Sequence, residues 1–197
     1  MSAPDPSSAP PPATGLARFA RIRRGPRPSG PPDGWTILAA WGPCGFAPVA
    51  PGTFGTLGAV PLAWAVSRLG LAGQLAVIAA VIGLGIYSAG KAAAYWRVAD
   101  ASPIVIDEVA GYLVTMLLVP FTPFTALLGF ALFRACDVLK PWPASVFDRM
   151  KNAPAVILDD IAAGVWAWGL LQLAGWALAR WAGCDAGGFW CFQLVGG

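Results

Sequence analysis

The chain of 197 residues is 57% hydrophobic and only 12% charged, with a mean hydropathy of +0.63. Soluble domains carry about 25% charged residues, so the composition excludes an ordinary water-soluble globule and points to a membrane protein. A formal net charge of +3 with no histidine excludes a phosphohistidine intermediate, a histidine general base and the usual nitrogen ligands of zinc.

The first 34 residues differ in kind from the rest. "MSAPDPSSAPPPATG" is rich in Pro, Ser and Ala and has no apolar patch, which predicts a disordered arm over 1–34. In the "LARFARIRRGPRP" that follows, Leu16, Phe19 and Ile22 alternate with Arg18, Arg21 and Arg24. Two readings stand equally: a basic amphipathic stretch on an anionic membrane surface, or a solvated linker. No continuous apolar core with a small-residue cleavage site opens the chain, so no signal peptide is expected.

"GFAPVAPGTFGTLGAVP" (Gly45 to Pro61) comes next. Its Pro/Gly density argues against a regular helix through Ala47 to Gly55. Gly52, Gly55 and the hydroxyls of Thr53 and Thr56 read as a cradle for an anion. Leu71 to Ala89 is free of charge and long enough to cross a bilayer, which takes about 20 apolar residues. Val109 to Phe133 is broken by "PFTP" and reads as a hairpin of two short helices. Ile161 to Trp181 carries only Arg180. The expectation is therefore an all-α, polytopic integral membrane bundle of four or five short apolar helices with a Pro/Gly-rich active-site loop. Hairpins fall at 56–88 and 104–135 and a last span at 161–181, within a membrane domain of 35–182 and before a tail of 183–197. Residues 56–69 and 123–135 are short for full spans and must tilt, re-enter or pack inside the bundle.

This arrangement puts every Lys and Arg except Arg68 and Arg180 on one face. Cytoplasmic loops carry the excess of basic residues, so that face is expected in the cytoplasm. Asp107, Glu108, Asp137, Asp148, Asp159 and Asp160 gather at the same face. None is required at the bilayer centre, where an aspartate costs about 2.5–3.5 kcal/mol.

Two segments resemble each other. "IVIDEVAG" and "VILDDIAAG" each run from branched residues into an acidic pair and end in glycine. Asp107 and Gly111, like Asp160 and Gly164, lie four apart and share a helix face, and glycine there lets another backbone approach closely. Packed together, the two segments present up to four carboxylates, an oxygen-rich set suited to Mg²⁺ or Mn²⁺. Between them, "FRACDVLKPWP" spaces Arg134, Asp137 and Lys140 by three. That pattern is either a salt-bridge ladder or a phosphate-neutralising face, with arginine as a bidentate fork and lysine as a point charge. Cys44, Cys136, Cys184 and Cys191 form no CxxC pair and read as free thiols, with Cys184–Cys191 pairing open only for an extracytoplasmic C-terminus. No cysteine has an arginine six positions on, and no Asp-x-Asp aspartyl-phosphate signature occurs. Phosphate chemistry here would then be metal-assisted, with carboxylates holding the ion.

In order, "APVAPGTFGTL", "IVIDEVAG", "FRACDVLKPWPASVFDR" and "ILDDIAAG" resemble the motifs of the phosphatidylglycerophosphatase A family across residues 35–182. The resemblance implies a Mg²⁺-dependent phosphatase of the bacterial inner membrane, acting at the cytoplasmic leaflet. Its substrate would be phosphatidylglycerophosphate and its products phosphatidylglycerol and inorganic phosphate. It carries over Asp107, Glu108, Asp137, Asp159 and Asp160 as catalytic acids. Of these, Asp107, Glu108, Asp159 and Asp160 are expected on the metal. Arg134, Lys140, Thr53, Gly55 and Thr56 are expected on the substrate, and Asp137 to orient Lys140, complete the metal shell or assist proton transfer. One departure is visible: the family's glycine-rich run before the double aspartate is replaced by "NAPAVI", one residue shorter and stiffened by Pro154. The expected partners are the lipid substrate and the bilayer, with no nucleic acid. Two alternatives stay open: action on another lipid phosphomonoester such as phosphatidate, and a non-enzymatic cation transporter or assembly factor.

Overall fold

The structure, a computed structural model, describes residues 30–150 and 152–181. The basic amphipathic stretch, Lys151, Cys184, Cys191 and the tail lie outside the described residues. Within them the chain is all-helical. Helix α1 spans Gly34–Ala39, and a 3₁₀ turn follows at Cys44–Phe46. Then come α2 (Pro51–Val66), α3 (Leu71–Trp96), α4 (Ile106–Thr115), α5 (Pro123–Leu139), α6 (Ala144–Met150) and α7 (Ala153–Trp181). Helices α3 and α7 are long and apolar enough to cross a membrane, each holding an 18-residue stretch of mean hydropathy 1.9 and 1.4 respectively.

The two hairpins form as the sequence implies, but their composition needs correction. Of the Ala47 to Gly55 stretch that argues against a regular helix, residues 47–50 are non-helical, but α2 starts at Pro51 and runs on through Gly55. Proline at the first helical position loses no intrahelical bond, because its N–H would have no partner there. Gly52 and Gly55 are tolerated because tertiary neighbours sit where side chains would otherwise project. The last helix begins at Ala153 rather than 161. Asp159 and Asp160 are thus well inside α7, whereas Asp107 and Glu108 lie in the first turn of α4. The helices number seven among the described residues, and α3 and α7, of 26 and 29 residues, are not short.

The second hairpin turn is built by hydrogen bonds the sequence spells out. Thr122 caps α5 through the Thr125 N–H at 3.1 Å, and Thr125 Oγ1 accepts the Thr122 N–H at 2.9 Å, with Pro123 at the first helical position. The first hairpin turn lies beside it. Buried Gln74 donates to the Leu69 carbonyl at 3.0 Å and accepts the Leu118 N–H at 3.0 Å. Both turns are thereby tied at one end of the bundle, leaving the acidic segments at the other.

The short α4 is the axis of the packing. Ile106, Val109, Ala110, Tyr112 and Leu113 are all buried, and Tyr112 reaches α5 to donate to the Ala126 carbonyl at 3.0 Å. Where α4 crosses α7, Gly111 faces Gly164. A Cβ on Gly164 would run into the Gly111 carbonyl, and one on Gly111 would lie 2.6 Å from the Asp160 carbonyl and 2.5 Å from the Phe133 ring. The close approach expected of these two glycines is therefore present, and Thr115 Oγ1, bonded within α4 to the Gly111 carbonyl at 3.0 Å, also reaches across to the Gly164 carbonyl at 3.4 Å.

Candidate active site

Four helix ends converge: the starts of α2 and α4, the first turns of α7, and the end of α5. The start of α4 is set by the Val105 N–H donating to the Ala39 carbonyl at 2.9 Å, which fastens it to the end of α1. Between these ends opens a cleft of about 450 Å³. Its walls carry Pro51, Gly52 and Thr53 from α2, Asp107 and Glu108 from α4, and Arg134, Asp137 and Lys140 from α5 and its cap. Phe147 and Asp148 of α6, Asp159 and Asp160 of α7 and residues 100–102 and 104 ahead of α4 also line it.

At its base, one carboxylate oxygen each of Asp107, Glu108 and Asp160 come together within 4.8 Å of one another. Asp107 and Asp160 are buried. Glu108 Oε2 and Asp160 Oδ2 are inaccessible to solvent and have no hydrogen-bond partner. Three carboxylates this close repel one another, and burial removes the water that would screen them. A divalent cation would relieve that repulsion and supply the missing partners, and an all-oxygen set is what Mg²⁺ or Mn²⁺ prefers. The donor set therefore fits the metal implied by the resemblance.

Asp159, expected in the same set, stands apart. Its Oδ2 accepts a hydrogen bond from Lys140 Nζ at 2.6 Å, since neighbouring residues on a helix project about 100° apart. Lys140 donates a second bond to Asp148 Oδ1 at 2.8 Å. Burial alone would lower the pKa of the ammonium, but the hydrogen bonds to Asp148 and Asp159 outweigh that and hold it above the usual lysine range. Arg134 pairs with Asp137 Oδ2 at 2.7 Å and lies 3.7 Å from Glu108 Oε1. The short contact has the geometry of an ion pair rather than of an aligned hydrogen bond. Arg134, Asp137 and Lys140 thus face one cleft, but Asp137 holds Arg134 and not Lys140.

Lys140 is also strained. It ends α5 in the left-handed region at φ 46°, and Ala50, just ahead of α2, has φ 47°. A non-glycine residue held there costs about 1–3 kcal/mol. Glycine would remove the strain at 140, and with it the side chain that reaches both Asp148 and Asp159.

The anion cradle needs correction. Thr53 lines the cleft, but Gly55 and Thr56 do not. Gly55 packs on Val105, where a Cβ would lie 2.6 Å from the valine Cβ. Buried Thr56 turns its hydroxyl back to the Gly52 carbonyl at 2.9 Å. Once the segment is helical, residues three and four beyond Gly52 lie on its inward face. Asp148 was missed as a partner of Lys140: it follows a Pro-Trp-Pro turn on a separate short helix, and no periodicity links the two.

A profile of the family described as phosphatidylglycerophosphatase A matches residues 37–175. The chain is 34% identical over 143 residues to "Phosphatidylglycerophosphatase A" of Escherichia coli K12, covering 72% of this chain and 83% of that one. It is 34% identical over 134 residues to the protein of the same name from Haemophilus influenzae, covering 66% and 82%. A "Putative phosphatidylinositol-3-phosphatase" of Bacteroides thetaiotaomicron is likewise 34% identical, over 68% of this chain and 89% of its own. No solved structure matches. The family match spans all four helix ends that build the cleft, and on that ground the chain belongs to the phosphatidylglycerophosphatase A family.

Proposed function

We propose that the protein is a Mg²⁺-dependent lipid phosphatase that hydrolyses phosphatidylglycerophosphate to phosphatidylglycerol and inorganic phosphate. It would do so as a multi-pass protein of the bacterial inner membrane with its cleft open to the cytoplasm. The observation that carries the reading is the meeting, in one cleft, of a three-carboxylate cluster bearing orphaned buried oxygens with two cations, Arg134 and Lys140. A transporter or assembly factor needs no such cation pair beside the acids.

Asp107, Glu108 and Asp160 would hold Mg²⁺, which when bound neutralises phosphate charge and lowers the pKa of water. Arg134 and Lys140 bind the phosphomonoester oxygens, Arg134 oriented by Asp137 and Lys140 by Asp148 and Asp159. The start of α2 adds the partial positive charge of a helix N-terminus beside Thr53. Because Lys140 is held as an ammonium, it serves as a fixed charge and not as the proton donor. Water attacks phosphorus, the bond to the glycerol oxygen breaks, and the proton lost by water ends on that oxygen. Two apolar helices of spanning length and the one-sided distribution of Lys and Arg support the membrane placement.

A second reading, action on another lipid phosphomonoester, is favoured by the name of the Bacteroides relative. Both are tested by phosphate release from phosphatidylglycerophosphate, phosphatidate and phosphatidylinositol 3-phosphate, using detergent-purified protein in Mg²⁺ and in EDTA. The first reading expects Mg²⁺-dependent release with phosphatidylglycerophosphate preferred. Preference for another lipid moves the second forward, and silence on all three sinks both.

A further inference from the structure

The glycine ahead of Thr53 has a use different from the anion cradle that its sequence context suggests. A Cβ built on Gly52 would overlap Glu108 Oε1 and stand 3.1 Å from an Arg134 guanidinium nitrogen. The same Oε1 lies 3.7 Å from Arg134. The other oxygen, Oε2, is buried without a partner, and Glu108 belongs to the cluster with Asp107 and Asp160. The two oxygens of one carboxylate thus have different surroundings: one is wedged between α2 and a guanidinium, the other is unpartnered.

We propose that Gly52 is a positioning residue for the metal ligand Glu108: its missing side chain leaves the space in which Oε1 is pinned against α2 and Arg134, fixing the orientation of the carboxylate beside Asp107 and Asp160. The inference rests on the metal reading above and adds a residue that acts through Glu108. Groups that orient a metal ligand commonly change metal affinity about 10–100-fold when altered. The position also predicts an unusual division of effects. The atom that a methyl at 52 would strike is the far end of a flexible side chain, so the carboxylate swings aside and the fold survives. What is lost is its orientation. Gly55, one turn on, is the internal contrast, because its overlap falls on the Val105 Cβ and the cost goes to packing.

The test is Mn²⁺ binding to the full chain in detergent, with free Mn²⁺ read by electron paramagnetic resonance and melting curves recorded without metal. Gly52→Ala should melt within a few degrees of the parent while binding Mn²⁺ about tenfold or more weaker. Glu108→Asp retracts the carboxylate from position 52 by one methylene and should itself weaken binding. Adding Gly52→Ala to Glu108→Asp should then cost less than about twofold more, the non-additivity expected of two residues that act through one contact. Unchanged affinity in Gly52→Ala overturns the proposal. So does an equal loss in both backgrounds, which would put its effect elsewhere. A Gly52→Ala chain that no longer folds overturns it too, since the overlap would then have fallen on the backbone. Failure of the parent protein to bind Mn²⁺ saturably would instead remove the metal reading beneath it.

Discussion

Asp159 and Asp160 are neighbours in sequence and meet separate partners in space. Asp160 faces Asp107 and Glu108, and Asp159 is bonded to Lys140. Replacing either removes a different thing. Asp160→Asn should abolish saturable Mn²⁺ binding and lower phosphate release by at least about 100-fold, with the circular-dichroism spectrum unchanged. Asp159→Asn should leave Mn²⁺ binding within severalfold of the parent and weaken substrate binding, seen as a raised KM. Equal loss of Mn²⁺ binding in both would mean that the separation of roles is wrong. The aspartate pair was visible in the sequence as an acidic site, but its division was not. Which of two adjacent side chains meets which partner depends on the helix crossing and on Asp148, and local pattern encodes neither.

Lys140 gives a pH test at the same scale. Its folded-state pKa is raised above the usual range, so as long as Asp148 and Asp159 are ionised its pairing stabilises the fold fully up to the unfolded value, about 10.4. That contribution fades only as pH rises toward the folded value. The stability difference between the parent and Lys140→Met should therefore be flat between about pH 7.5 and 9.5, as measured by thermal melting. A difference shrinking across that window would show that the ammonium is not held as the two short hydrogen bonds imply.

Among the elements, the crossing of α4 and α7 is the feature most legible in advance. Matched acid-to-glycine spacings in two segments predicted a close approach, and Gly111 and Gly164 make it. The start of α2 was the least legible. Two prolines and three glycines within Pro51–Pro61 oppose a helix by propensity, yet propensity yields where burial against Val105 and Glu108 decides. A pair of substitutions separates these influences. Gly164→Ala drives a methyl into the Gly111 backbone, which has nowhere to move, and should destabilise by about 1–3 kcal/mol or more. Gly169→Ala, on the same helix with open space at its Cβ, should be neutral or stabilising by up to about 1 kcal/mol. Thermal unfolding in detergent measures both. Similar melting points would mean that the crossing is looser than its distances indicate.

At the scale of the whole molecule, the acids gather at one end and the two hairpin turns at the other, as the alternation of apolar runs and charge implies. What sequence could not supply was the depth of the acids within their helices, because nothing in "NAPAVILDD" announces where α7 starts. The membrane reading makes the two ends chemically distinguishable. With the four native cysteines replaced, a cysteine at Gly70 should react with an impermeant maleimide on intact spheroplasts. One at Arg149 should react only after lysis. The reverse pattern would invert the orientation.

The short, enclosed α4 has a last consequence. At 1.5 Å per residue its ten residues extend about 15 Å, half the roughly 30 Å of a hydrocarbon core, and its packing is with protein nearly all round. Helix α3, with 26 residues, is long enough to feel bilayer thickness and to tilt as that thickness changes. The helix carrying Asp107 and Glu108 has no lipid boundary to match. Its pose is dictated from inside, and the crossing with α7 couples Asp160 to it. Thinner or thicker bilayers should therefore re-aim the outer helices while the acid cluster keeps its dimensions, so that lipid chain length alters how substrate arrives far more than the step that consumes it.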